Sequence, residues 1–186
     1  MSFFIALAIA VLPAVLLLIY IFKKDAKPEP KGKIWKAILL GAATVIPIIC
    51  VEQFVSAILF GEGGESQSFI GHCADAFFVA AIPEECFKLL ALWLVLRKNP
   101  YFDEHYDGIV YAVCVGLGFA TVENIGYVVL DDNWASVGIM RAIFSVPGHY
   151  AFAVLMGFYY AQYHFVKRSF LNGVSILAVP VIAHGI

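Results

Sequence analysis

Six stretches of the chain are almost wholly apolar, and each approaches the roughly 20 residues that cross a bilayer as a helix. They run from Phe3 to Phe22, Ile34 to Phe60, Phe69 to Leu96, Ile109 to Leu130, Val137 to Phe165 and Phe170 to Ile186. The connections alternate in charge. Lys23, Lys24, Lys27, Lys31 and Lys33 fill the first, Arg97 and Lys98 open the third, and Lys167 and Arg168 make the fifth, whereas Glu62 and Glu65 lie in the second and Asp131 and Asp132 in the fourth. The positive-inside rule makes the basic connections cytoplasmic and puts the N-terminus outside. The predicted fold class is all-α, a polytopic transmembrane helix bundle of about six spans. No basic residue precedes the first run, which is also too long for a signal peptide, so it is read as a retained anchor. The sixth run stops at Ile186 with no flanking charge, and the chain is expected to be shortened at its C-terminus.

Composition agrees with a membrane protein. Hydrophobic residues make up 62% of the chain and charged ones 14%, against about 45 to 50% and 25% in soluble domains. The net charge of −2 and the lack of a basic stripe exclude a nucleic-acid partner. Cys50, Cys73, Cys86 and Cys114 are far apart, form no CxxC pair and are read as small buried hydrophobes. No repeat or linker divides the chain, so residues 1–186 are treated as one transmembrane domain.

Polar residues inside the spans change the picture. An ionised group at mid-bilayer depth costs about 2.5 to 3.5 kcal/mol even on lenient scales. Glu84, Glu85 and Lys88 nevertheless sit in the third run. Counting at about 1.5 Å per residue from each cytoplasmic helix end places Glu84 and Glu85 roughly 18 to 20 Å deep, Glu123 about 22 Å, His184 about 24 Å and His149 about 27 Å. Ionisable groups from four helices thus share a slab under about 10 Å thick, slightly outward of the centre of a roughly 30 Å core.

Each group also has a structural reading. Lys88 follows Glu84 by four residues and Glu85 by three, spacings that suit a buried ion pair. Yet one ammonium cannot neutralise two carboxylates, and the excess acid suits general acid–base chemistry. Pro83 removes the N–H that would reach Val79 and should loosen the helix there. Gly116, Gly118 and Gly126 flank Glu123 and are expected to bring its helix close to the third run, while Asn124 can hold a carboxylate or donate to an oxyanion. Glu52, Gln53, His72 and Asp75 lie at outer ends, where interfacial water solvates them. Asp103, Glu104, His105 and Asp107 read as a solvated cytoplasmic turn.

Glu84-Glu85-Cys86-Phe87-Lys88 fits an EExxK motif and Gly118 to Asn124 fits GFxxxEN, with His149 and His184 on the two following helices. In these motifs the chain resembles the PrsW family of bacterial intramembrane proteases, itself related to the CAAX prenyl protease group of membrane glutamate proteases. The stretches Phe102 to Tyr111 and Met156 to Tyr159 extend the resemblance over nearly the whole chain. The resemblance implies site-1 cleavage of a single-pass membrane anti-sigma factor on the extracytoplasmic side, in a bacterial cell membrane. The family's last motif resembles HGxxD, and the chain ends at Ile186 before an aspartate.

The catalytic set is then Glu84, Glu85, Glu123, His149 and His184, with Lys88 and Asn124 supporting. Glu84 or Glu85 is the general base, Glu123 shares the water or tunes the base, and the histidines donate to the oxyanion or the leaving amine. No cofactor is required on this reading. A zinc ion held by His149, His184 and Glu123, with Glu85 as base, is the mechanistic alternative, although no HExxH is present. A proton-coupled transporter and a non-catalytic scaffold are the readings from other classes.

Overall fold

A computed structural model describes residues 3–61 and 68–186. Glu62 and Glu65, used above for orientation, lie outside the described residues. The described chain contains α1 (Phe3–Lys24), α2 (Lys31–Ala43), α3 (Val45–Phe60) and α4 (Phe69–Ala74), a π-helical segment Asp75–Ala81, then α5 (Ile82–Leu96) and α6 (His105–Leu130). It continues through α7 (Trp134–Met140), a π segment Arg141–Ser145, α8 (Val146–Ala161), a third π segment Gln162–Val166, and α9 (Phe170–Gly185). No strand occurs among the described residues, and the architecture is a polytopic helical bundle.

Among the described residues, four rods are long and apolar enough to cross a membrane: Phe4–Lys24, Lys31–Phe60, His105–Leu130 and Trp134–Val166. α9 is a shorter apolar helix. The rod from α4 to α5 corresponds to the third hydrophobic run, whose apolar character is broken by Glu84, Glu85 and Lys88.

α6 is the axis of the bundle. Every residue from Val110 to Ala120 is buried, as expected of a helix surrounded on all sides, and α1, α2, α5 and α8 pack around it. Two glycine seams allow the close approach. A Cβ on Gly118 would run into the Ile38 main chain of α2, and one on Gly157 of α8 would run into the Gly108 main chain of α6. Main-chain atoms cannot rotate away, so only glycine fits. This corrects the expected use of the α6 glycines. Gly116 faces Ala153 and the His149 carbonyl on α8, Gly118 faces α2, and Gly126 meets nothing within 4 Å; none of the three seats α6 on the third run.

Prolines set the irregularities. Pro47 has no N–H for the Ala43 carbonyl, and the long second run breaks at Thr44, whose hydroxyl donates to the Gly41 carbonyl at 2.6 Å. Pro83 and Pro147 stand at the starts of α5 and α8, each immediately after a π segment. There the main-chain N–H of Ile82 reaches back to Phe77, and that of Val146 to Arg141. Each helix thus absorbs its missing donor by widening one turn rather than by kinking, a device common beside functional sites.

The turn before α6 is solvated at Asp103 and His105, as expected, but not at Asp107. Asp107 is fully buried, and its Oδ2 accepts the main-chain N–H groups of Asp103 at 2.9 Å and Glu104 at 2.8 Å. Glu104 completes a capping box that satisfies the first turn of α6. Tyr111 donates to Glu29 of the α1–α2 loop. The cysteines are all unpaired, but only Cys114 belongs to the core; Cys50 is exposed and Cys73 and Cys86 are half-buried, which corrects the expectation of four buried hydrophobes.

Candidate active site

The charged centre of the site comes from α5. Its first turn presents Glu84 and Glu85, and Lys88 follows one turn later on the same face, where all three are buried. The Lys88 ammonium lies at the centre. It donates to Glu84 Oε2 at 2.8 Å and to Glu85 Oε1 at 2.9 Å, and approaches His149 Nδ1 on α8 at 3.2 Å. The Phe119 ring covers it at 4.1 Å from the centroid.

The hydrogen-bond roles follow from Lys88. An ammonium only donates, so His149 Nδ1 must accept and the ring is the neutral tautomer with its proton on Nε2. That N–H faces Glu123 Oε2 on α6 at 3.1 Å. Both ring nitrogens of His149 are therefore engaged, which leaves none for a substrate. His184 on α9 differs. Its Nδ1 meets Glu85 Oε1 at 3.0 Å, and Nε2 has no partner among the described residues. The His184 ring stacks on Phe152 at 4.8 Å and 18°.

Glu85 is 0% exposed. Its Oε1 serves both Lys88 and His184, while Oε2 is buried without a hydrogen-bond partner. Glu84 instead lines an open cleft of about 540 Å³. One wall of the cleft is α3, another is the Asp75–Ala81 segment continuing into Glu84, and the third is α6 from Phe119 to Asp131. Glu123 lies on that third wall.

Glu123 also pairs with a residue that sequence reasoning passed over. Arg141, at the start of the second π segment, donates from Nη2 to Glu123 and from Nε to Asn124 Oδ1 at 2.8 Å. Its guanidinium lies 4.0 Å from the Tyr127 ring centroid. Asn124 in turn donates to the Ala10 carbonyl of α1 at 2.7 Å, so its amide braces Arg141 against α1. The available signal was simple: Arg141 is the sole Lys or Arg between Val137 and Phe165, and an ionised residue inside a span calls for a partner.

A profile described as "PrsW family intramembrane metalloprotease" matches residues 29–186. The chain belongs to the PrsW family. A relative named Protease PrsW from Oceanobacillus iheyensis is 37% identical over 97% of this chain and 80% of its own length. The protein of that name from Geobacillus kaustophilus is 37% identical over 98% and 78%, and that from Bacillus subtilis 31% identical over 98% and 80%. No solved structure matches the chain. The family is one of intramembrane proteases, so a peptidase site is what these side chains have to explain.

The family description also implies a metal. Glu84, Glu85, His149 and His184 each offer a ligand atom, all within 4.8 Å of one another, and carboxylate and imidazole are ordinary zinc donors. Glu123 falls outside this group. Three of the four residues, however, already direct an oxygen or nitrogen at the Lys88 ammonium. A divalent ion drawing on the same atoms would share their space with a buried cation, and the two would repel. Glu85 Oε2 and His184 Nε2 have no partner among the described residues and remain open to a zinc ion, which would compete with Lys88 for the other atoms.

Proposed function

We propose that this PrsW protein is an intramembrane endopeptidase that hydrolyses a peptide bond of a single-pass membrane protein of anti-sigma-factor type. Cleavage is site-1, on the extracytoplasmic side of a bacterial plasma membrane that the chain crosses several times with its N-terminus outside. The observation that supports this reading best is the position of Glu84: a carboxylate anchored by Lys88 at the foot of a cleft large enough for a peptide.

Water entering the cleft meets Glu84, whose Oε2 is held by Lys88. Glu84 takes a proton from the water as hydroxide adds to the scissile carbonyl carbon, and returns that proton to the nitrogen as the C–N bond breaks. His184, protonated, donates from its unpaired Nε2 edge to the developing oxyanion. Glu85 keeps out of the reaction and aligns both Lys88 and His184. His149 passes the order of the Arg141–Glu123 pair to Lys88 and is a positioning residue. This assigns the base to Glu84 and moves His149 out of contact with substrate.

The charges support the scheme. Lys88 and Arg141 face Glu84, Glu85 and Glu123, two positive charges against three negative, with His149 neutral. His184, whose Nδ1 meets Glu85, is the remaining side chain that can supply the oxyanion a donor. A general base contributes about 10² to 10⁴-fold and an oxyanion donor about 10² to 10³-fold.

Co-expression with an epitope-tagged single-pass anti-sigma factor tests the reading. A shortened substrate fragment is expected with the wild-type chain and none with Glu84→Gln. An unchanged fragment in Glu84→Gln removes the catalytic assignment, and substrate bound but never cut by the wild type favours a scaffold.

A further inference from the structure

The cleft above Glu84 has a feature that hydrolysis itself does not need. α3 touches α6 at its own start, where Val45 and Ile48 pack on Phe119 and Ala120. Beyond that contact the two helices part, and the cleft runs between them along α6 from Phe119 to Asp131, about 18 Å at helical rise. Apolar side chains such as Ile49, Val79 and Val122 line its length.

Glu52 of α3 stands on this wall, half-buried within a membrane-spanning rod. It has no ion pair or hydrogen bond among the described residues. Asp75 and Asp131 are the other carboxylates on the cleft lining besides Glu84 and Glu123, and no Lys or Arg lines it. Arg141 is committed to Glu123 and Asn124, and Lys88 to the α5 carboxylates. An ionisable group inside a span that lacks an internal partner needs one from elsewhere.

We propose that the α3–α6 cleft is the docking groove for an extended segment of membrane polypeptide, and that Glu52 selects a segment carrying lysine or arginine. The inference rests on the peptidase reading for its occupant. Its chemistry is ordinary charge complementarity: apolar side chains fill the walls, and a cationic one reaches Glu52 and neutralises a cleft that otherwise holds only acids. A segment enters between α3 and α6 and passes Glu52 before it meets Glu84.

The test uses the full chain carrying Glu84→Gln, in lipid nanodiscs, with two fluorescent leucine–alanine peptides of membrane-spanning length. One bears a single lysine near its outer end and the other norleucine at the same place. Anisotropy is expected to show the lysine peptide bound about tenfold more tightly. Adding Glu52→Gln should erase that difference, and Glu52→Lys should transfer the preference to a glutamate-bearing peptide. A photoreactive group at position 49 should cross-link the bound peptide. Equal binding of the two peptides, a lysine preference that survives Glu52→Gln, cross-linking confined to other faces, or binding of neither peptide overturns the proposal. Wild-type chain that binds the lysine peptide preferentially but never cuts it leaves the groove standing and removes the peptidase reading. Wild-type chain that cuts both peptides alike does the reverse.

Discussion

Removing the central cation should damage the protein far more than removing the whole charged cluster. Lys88 is 3% exposed and donates to two carboxylates that are 4% and 0% exposed. Lys88→Met leaves those carboxylates facing each other with only the His184 and His149 rings beside them able to carry positive charge. Breaking a buried ion pair by deleting one partner costs about 3 to 5 kcal/mol, because the remaining charge is stranded. At about 2 to 4 °C per kcal/mol for a chain of this size, the melting temperature should fall by roughly 6 to 20 °C. Replacing all three ions by neutral groups of similar volume removes the stranded charge, and such swaps are commonly neutral or stabilising by about 1 to 4 kcal/mol. The triple variant Glu84→Gln, Glu85→Gln, Lys88→Met should therefore melt well above Lys88→Met. Thermal unfolding in one detergent, followed by intrinsic fluorescence, measures both. A Lys88→Met protein that melts like the wild type, or a triple variant no more stable than the single one, refutes the placement of Lys88 as the keystone.

Gly157→Val puts a side chain into the Gly108 main chain and should lower stability by at least about 3 kcal/mol, whereas Gly126→Ala, with nothing within 4 Å, should leave the melting temperature within a degree or two. Burial, with the neighbouring Asp107 and Asp25 carboxylates adding to it, pushes Glu29 in the α1–α2 loop from an ordinary 4.5 up to about 7, against the opposing effect of the Tyr111 hydrogen bond. A raised carboxyl pKa favours the folded state at low pH, and this contribution fades as pH rises from about 4.5 through about 7; wild-type melting should fall across that window more steeply than that of Glu29→Gln, and identical slopes would sink the assignment. Arg141→Gln should lower kcat by about tenfold or more with KM nearly unchanged, because Glu123 loses the charge that orients it toward His149, and Arg141→Lys should restore part of the rate.

Much of the bundle was legible because lipid imposes one demand, that long apolar runs be helices. The EExxK triad stood out for the same reason: three charges inside such a run are costly enough to notice. The structure indeed gathers Glu84, Glu85, His149 and His184, which counting had placed at similar depths. What hydropathy hides is the direction in which a side chain points. Gly116 and Gly118 face different helices although they are two residues apart, as helical geometry requires, and neither faces the third run. Asp107 read as solvated because its neighbours are charged; the Glu104-x-x-Asp107 spacing was the clue that it caps a buried helix start. Pro83 announced irregular backbone, but whether a helix kinks or widens depends on tertiary packing that no local pattern carries. Arg141 lay near the start of an apolar run, and its partners, Glu123 and Asn124, come from a separate helix.

The central claim is that Glu84, held by Lys88 and not by a metal, activates water at the foot of the cleft. Purified wild-type chain, its metal content assayed and chelator present throughout, should still release a shortened fragment from a purified single-pass anti-sigma substrate, while Glu84→Gln should fall by at least about 10²-fold. Cleavage that stops on chelation and returns with zinc, or that proceeds equally in Glu84→Gln, would contradict the account.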